Sequence, residues 1–99
     1  MIRYEVVVAV REDLRERFER YFVETHIPEI LATGCFLDIR FDRADSGAFR
    51  TVYHAATRDD LDRYLAEHTA HFRADFVKHF PEGVAPSREI WTEVKRWTK

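Results

Sequence analysis

The chain has 99 residues, which suits one domain and leaves no length for a second. Its 16 basic and 18 acidic residues give a net charge of −2, which argues against a module that neutralises the phosphates of nucleic acid. No stretch approaches the roughly 18 apolar residues of a membrane span, and no apolar signal region follows Met1. The lone cysteine, Cys35, cannot form an internal disulfide, so we expect a soluble protein of a reducing compartment, by default the bacterial cytoplasm.

The first predicted elements are a strand over residues 2–10 and a long helix. Along the strand, one face carries Ile2, Tyr4, Val6, Val8 and Val10. The opposite face carries Arg3, Glu5, Val7 and Ala9. From about Asp13 the apolar spacing becomes helical, with a stripe formed by Leu14, Phe18, Tyr21, Phe22 and Thr25. Pro28 has no amide hydrogen and leaves the carbonyl of Glu24 without its helical partner, so we expect the helix to bend at Pro28 and to reach about Thr33.

A hairpin is predicted next, after Gly34 ends the helix. Residues 35–41 alternate as a strand, with Cys35, Leu37, Ile39 and Phe41 on one face. The other face of this strand carries Phe36, Asp38, Arg40 and Asp42. Turn residues at 45–47 then return the chain as a third strand over residues 49–56.

The last predicted elements are a second helix and a fourth strand. Thr57 with Asp60 resembles a capping box and begins a helix that extends to Phe80. Unbroken, this helix would be roughly 36 Å long and would overhang the sheet, so it either breaks near Thr69 or touches a neighbour. Pro81, Gly83 and Pro86 interrupt the chain, and residues 87–97 are predicted as the fourth strand.

The order β-α-β-β-α-β favours a ferredoxin-like domain over residues 1–99. Right-handed crossovers place the strands in one antiparallel sheet, ordered 4-1-3-2, with both helices on one face. The second face is left uncovered, although it carries Val7, Ala9, Phe36 and Trp91, with Trp97 as a further candidate. We therefore expect a homodimer that packs sheet against sheet. The alternative is a monomer whose second face is partly wetted and polar.

One stretch resembles a known family. Residues 26–36, His-Ile-Pro-Glu-Ile-Leu-Ala-Thr-Gly-Cys-Phe, are similar to the signature of a bacterial family of uncharacterised proteins, domain-of-unknown-function family 4286. Residues 2–6 and 60–68 resemble its members as well. The resemblance implies the dimeric α+β barrel superfamily, which includes cofactor-free monooxygenases, polyketide cyclases, sugar mutarotases and haem-degrading enzymes. It implies no activity, because none is assigned to the family.

Four side chains are the candidate ligand-binding residues: Tyr4, His26, Tyr53 and His68. His26 lies beside the freed carbonyl, where it is either a general acid or base at a pocket or a ring that holds the kinked turn by a hydrogen bond. His68 lies on the helical stripe, where it is either catalytic or a core histidine bonded to Tyr4 or Tyr53.

Other candidates have simpler structural interpretations. His68 and His71 are close on a helix, but a zinc site needs a third ligand from His26 or His54, so we expect no metal and no cofactor. No motif locates a haem ligand. Cys35 is predicted as a small core residue. The charged residues of the second face either bind an anion or form a paired layer that fixes subunit register: Arg3, Glu5, Asp38 and Arg40.

The leading functional hypothesis is a homodimer that holds a small, mainly apolar organic ligand between sheet and helices. If the protein is an enzyme, His26 or His68 transfers a proton. The alternative is a non-catalytic interaction or structural protein with a filled core, and neither hypothesis includes a nucleic-acid or membrane partner. A pocket of at least about 300 Å³ reached by His26 or His68 would distinguish the two.

Overall fold

Four strands and two interrupted helical segments follow the predicted order in the computed structural model, which describes residues 1–99. The strands are β1 (Ile2–Val10), β2 (Asp38–Arg43), β3 (Phe49–Ala55) and β4 (Val84–Thr92). The first helical segment comprises α1 (Arg15–Tyr21) and α2 (Ile27–Leu31), and the second comprises α3 (Arg58–Glu67) and α4 (Thr69–His79). None of these helices has the length and apolar character needed to cross a membrane.

The strands form one antiparallel sheet in the order β2-β3-β1-β4, which confirms the predicted ferredoxin-like topology. On the central strand β1, Tyr4 pairs with Tyr53 of β3 and Ile90 of β4. The predicted faces of β1 are also confirmed, because Tyr4 and Val8 are buried beneath the helices whereas Ala9 on the other face is exposed. The helices therefore cover one side of the sheet.

Two clusters of apolar side chains fill the space between sheet and helices. One joins Tyr4 and Tyr53 of the sheet to Leu61 and Tyr64 of α3. The other is built around Phe18, which is fully buried and stacks on Phe22 with ring centroids 4.2 Å apart. The sequence pattern of alternating strands and striped helices thus produces a continuous core on one face of the sheet.

The first helical segment widens one turn before Pro28. Between α1 and α2, residues Phe22–His26 form a π turn in which the amide of Ile27 donates to the carbonyl of Phe22, five residues earlier. Because Pro28 cannot donate a hydrogen bond, the preceding turn loses its regular partner, and a wider turn accommodates the loss. The predicted irregularity is present, in the turn before the proline that contains Thr25 and His26.

The start of β2 differs from the prediction. The strand begins at Asp38, and residues 35–37 instead cross from the helical layer to the sheet after Gly34, whose φ is 77°. As a result, Phe36 is buried against Tyr53 rather than on the open face, whereas Leu37 is 61% exposed. The predicted contribution of Phe36 to the uncovered face was wrong, because the alternation of strand residues begins only after this crossing.

The predicted bounds of β4 were also wrong. The strand starts at Val84 and ends at Thr92, which are the residues that pair with Val10 and Ile2 at the two ends of β1. Pro86 lies inside the strand opposite Val8, a position that an edge strand tolerates because one side of its backbone is unpaired. The length of β4 is therefore set by the length of its only neighbour.

The second helical segment breaks near the predicted position. His68 separates α3 from α4 with φ −122° and ψ −27°, outside helical geometry. Thr57 caps the segment as predicted, since its Oγ1 accepts a hydrogen bond from the amide of Asp60 at 3.2 Å. After the break, α4 packs on the sheet through Phe72 and Phe76, which are buried in the core.

Candidate functional site

A cavity lies between α4 and the covered face of β1. Its lining is mainly aromatic: Tyr4, Phe22, Tyr53, Tyr64, Phe72 and Phe76. Its polar lining comprises His26, Thr69, Arg73 and Arg88. The volume is about 50 Å³, enough for a few water molecules but smaller than the roughly 300 Å³ expected of a closed pocket for an organic ligand.

His26 lies at the end of the π turn and between the two core clusters. Its ring centroid is 4.4 Å from that of Phe22 and 6.0 Å from that of Phe72. Its Nδ1 is buried and has no hydrogen-bond partner, so this atom does not hold the turn in place. Burial lowers the pKa of His26 to about 4, and the opposing charge of Asp75 only partly offsets this effect. The ring is therefore neutral at pH 7.

Tyr4 and Tyr53 face the same cavity as His26, so three of the four candidate residues come together. The ring centroids of Tyr4 and Tyr53 are 5.7 Å apart. Tyr64 of α3 completes a tyrosine triangle, 6.5 Å from Tyr4 and 6.3 Å from Tyr53. Burial raises the pKa of both Tyr53 and Tyr64 well above the ordinary value, which keeps their hydroxyl groups protonated. The helical spacing of Tyr64 from Leu61 is the signal that could have identified it.

His68 does not line the cavity. It lies at the junction of α3 and α4 with 32% of its side chain exposed, and its Nε2 is 3.9 Å from Oε2 of Glu67. The predicted hydrogen bond from Tyr4 or Tyr53 is not formed, and the next residue, Thr69, lines the cavity instead. A role for His68 in binding or catalysis stays a prediction.

Two arginines that the sequence interpretation did not identify lie at the cavity. Arg73 follows Phe72 on α4, and Arg88 projects from the helix-side face of β4 opposite Val6. The same two arginines and Tyr4 also line a surface groove of about 430 Å³ beside Leu65 and Ile90. Because the cavity and the groove share these residues, the cavity opens between α4 and β4.

The opposite face of the sheet carries a paired polar network. Arg3 Nε donates to His54 Nε2 at 3.0 Å, and His54 Nδ1 lies 2.5 Å from Asp38 Oδ1. Since the guanidinium can only donate, Nδ1 carries the proton that His54 donates to Asp38. Arg3 also approaches Glu93 at 3.4 Å. The predicted sharing of this face by Arg3 and Asp38 is confirmed, whereas a role in subunit register stays a prediction.

The structure brings no metal-binding cluster together. No group of three or more histidine, cysteine, aspartate or glutamate side chains is arranged to hold a metal ion. Cys35 is 2% exposed within the core cluster around Tyr4, which fits its predicted place as a small core residue. The chemistry available at the cavity is therefore that of a neutral histidine, tyrosine hydroxyls and two arginines.

Known proteins match the chain in family and fold. The family model of a domain of unknown function, DUF4286, matches residues 1–94, and no curated protein is detectably similar. A candidate antibiotic biosynthesis monooxygenase from Deinococcus radiodurans superposes with a TM-score of 0.73 at 13% identity, covering 100% of this chain and 98% of that chain. Rv0793 from Mycobacterium tuberculosis has a TM-score of 0.65 at 13% identity, covering 99% and 100%. A dimeric ferredoxin-like protein from an uncultured marine organism has a TM-score of 0.67 at 13% identity, covering 97% and 96%. Such low identity supports a shared fold alone.

Proposed function

We propose, from the premise that the chain belongs to the DUF4286 family of domains of unknown function, that it acts as a homodimer that binds a small, mainly apolar organic ligand. The ligand would enter the cavity between sheet and helices and extend into the adjoining groove. Tyr4, His26 and Tyr53 are the proposed contacts inside the cavity. His68, which precedes Thr69 of the cavity wall, is a proposed contact outside it. The proposed compartment is the cytoplasm, where Cys35 stays reduced.

The observation that carries the ligand proposal is the buried Nδ1 of His26, which has no partner within the protein. A buried polar atom without a hydrogen bond costs roughly 1–3 kcal/mol, and such atoms are rare in folded proteins. Here the atom belongs to a residue that lines a cavity with aromatic walls and an opening. A ligand or bound water in that cavity would supply the missing partner, and an apolar ligand body would pack against the rings.

The homodimer proposal rests on the face of the sheet that no helix covers. Val7 is half-buried and Ala9 exposed on this face, and Trp91 is 48% exposed beside Arg3. The four strands have 9, 6, 7 and 9 residues, and at about 3.3 Å per residue and about 4.8 Å between strands they present roughly 490 Å² of flat face. This is of the same order as the roughly 800 Å² that each partner buries in a standard interface. The structural similarity to a dimeric ferredoxin-like protein from an uncultured marine organism supports this proposal.

The more specific proposal is that a histidine transfers a proton to or from the bound ligand. A histidine with a pKa of about 4 is unprotonated at neutral pH, so His26 is able to accept a proton but not to donate one. In this form His26 acts as a general base on the ligand. His68 is the alternative proton-transfer group, and its partial exposure gives it direct exchange with solvent.

The ligand proposal is tested by blocking the cavity. Val6 lines the cavity from β1, and Val6→Phe would fill much of its 50 Å³. Small molecules released by denaturing protein purified from its host are identified by mass spectrometry. We expect a compound that is released by the unmodified chain and is absent from Val6→Phe. Val77→Phe, at a position that is 59% exposed on α4, is the matched control and should retain the compound.

A folding control and a second variant make this test decisive. Circular dichroism shows whether Val6→Phe is folded. If it is unfolded, Val6→Leu, which adds one methylene group, replaces it in the test. Retention of the same compound at the same stoichiometry in a folded cavity-blocked variant would overturn the ligand proposal.

Sedimentation tests the dimer separately. Val7→Lys places a charge on the uncovered face of the sheet and should convert a dimer into a monomer at micromolar concentration. Val77→Lys adds the same charge on an exposed helical surface and should leave the mass unchanged. A single-chain mass for the unmodified protein would contradict the dimer proposal.

The small cavity volume favours a second candidate function. At about 50 Å³ the interior is nearly filled, as expected of an interaction or structural protein without a ligand. Val94 and Trp97, which are 97% and 78% exposed beyond the end of β4, would then belong to a protein-binding surface. Absence of any released compound, together with a stable dimer, would favour this candidate.

A further inference from the structure

We propose that the ligand is an organic carboxylate whose apolar body enters the cavity and whose anionic head binds Arg73 and Arg88. This inference rests on the proposed function and adds the chemical class of the ligand. It is carried by the position of the two arginines, by their lack of ion pairs and by the shape of the opening.

Arg88 lies in the helix-facing row of the edge strand β4. The helix-side face of β4 is formed by alternate residues: Val84, Pro86, Arg88, Ile90 and Thr92. Opposite Arg88 on the neighbouring strand is Val6, and Tyr4 and Val8 flank it. The helical layer does not cover this part of β4, and Arg88 is exposed. Arg88 therefore places a guanidinium group at the opening of the cavity, beside Tyr4 and Val6.

Arg73 approaches the same opening from the helical layer. It follows the buried Phe72 on α4 and lines both the cavity and the groove together with Arg88. Neither arginine is within ion-pair distance of a carboxylate, although most other arginines of the chain are paired. Glu89 is the only carboxylate that lines the groove, and it pairs with neither of them. Two unpaired guanidinium groups thus lie at one opening.

A guanidinium group is suited to this task because its planar donors match the geometry of a carboxylate. Two such groups on opposite sides of an opening would hold an oxyanion while leaving the apolar part of the ligand free to point inward. Burial raises the pKa of Tyr64, and the charges of Arg73 and Arg88 partly oppose that rise.

The volumes of the cavity and the groove favour a ligand whose apolar part is narrow. The cavity holds only about 50 Å³, whereas the groove outside it holds about 430 Å³. A short alkyl chain fits such an arrangement better than a fused ring system, because only a slim apolar end is able to enter between the aromatic walls. His26 lines the interior of the cavity, and the two arginines lie at its opening. Polar recognition is thus concentrated at two points along the ligand.

The test compares hexanoate with hexanamide, which has the same body and no charge, and with inorganic phosphate as an anion without a body. Binding to the full chain is followed by NMR through the methyl groups of Val6 and Val8, both of which line the cavity. We expect hexanoate to shift these methyl signals and to bind about tenfold more tightly than hexanamide. Phosphate should leave the same signals unchanged.

Substitution of the arginines completes the test. Arg73→Gln or Arg88→Gln should weaken hexanoate binding about tenfold and leave hexanamide binding unchanged. Arg63→Gln, on the exposed surface of α3, is the matched control and should change neither. Both arginines under test are exposed, so their replacement is compatible with folding.

The outcomes distinguish the two levels of the proposal. Equal binding of hexanoate and hexanamide at the cavity methyl groups would overturn the carboxylate inference and leave the proposed ligand cavity standing. Equal binding of hexanoate and phosphate, without methyl shifts, would also overturn the inference, because it would place the anion on the surface. If neither hexanoate nor hexanamide perturbs the cavity, both the inference and the proposed apolar ligand site fail.

Discussion

Replacement of His26 by leucine should remove an acid-sensitive contribution to folding. The folded protein lowers the pKa of His26 from 6.5 to about 4 because burial disfavours the charged ring. The unfolded chain therefore binds more protons between pH 6.5 and pH 4, and the free energy of unfolding must fall as pH drops through that window. Above pH 6.5 both states hold a neutral ring and the contribution is constant. Asp75 and His79, which face His26, act in opposite directions.

The expected size follows from the two pKa values. From pH 7.5 to pH 5 the shift removes about 2 kcal/mol of stability, and below pH 4 the total loss approaches about 3 kcal/mol. Urea unfolding across this pH range measures the loss of stability. The unmodified chain should lose about 2 kcal/mol more than His26→Leu between pH 7.5 and pH 5. His71→Gln removes an exposed histidine and serves as control. Parallel pH profiles for the unmodified chain and His26→Leu would refute the assignment of His26 as a buried neutral ring.

Three further substitutions test the local structure by thermal or urea unfolding. Thr57→Ala removes the hydrogen bond from the amide of Asp60 and should lower stability by about 1 kcal/mol; no change would show that the cap is not formed. Phe18→Ala empties the centre of the second core cluster and should cost about 3–5 kcal/mol, whereas a loss below about 1 kcal/mol would contradict its full burial. Gly34→Ala meets no neighbouring atom but must adopt φ 77°, so it should cost about 1–2 kcal/mol through backbone strain alone.

The sheet could be predicted from the sequence because its strands show strong alternation and its turns carry clear signals. β1 is the best example, since every second residue from Ile2 to Val10 is apolar and faces the helices. The same rule failed at Phe36 and Leu37, where two adjacent apolar residues fit either face. A period of two does not reveal where a strand begins, and here the chain needs residues 35–37 to cross between layers. The error was therefore one of boundary, with the topology unaffected.

The bounds of β4 required information that lies elsewhere in the chain. Alternation continues past Thr92, but β1 begins at Ile2 and provides no partner for a longer ladder. Strand pairing overrides the local sequence pattern in this case.

The residues of the candidate site show the same dependence on tertiary structure. His26 was identified by its place beside the carbonyl that Pro28 frees, and Tyr4 and Tyr53 as possible partners of His68. Arg73 carries no comparable signal in the sequence, and only the fold brings it to the cavity.

Because β4 is the edge strand, one of its faces borders the proposed ligand site and the other belongs to the proposed dimer surface. The helical layer does not cover β4, where Val84 and Ile90 alone are half-buried and the other residues are exposed. On the helix side this leaves the opening flanked by Arg88. On the opposite side it leaves Trp91 exposed on the face proposed to meet a second subunit. Because these two surfaces lie on opposite sides of one sheet, pairing through the uncovered face would leave the cavity of each subunit open to solvent. Ligand binding and dimer formation are therefore expected to respond to different substitutions, which allows each proposal to fail without the other.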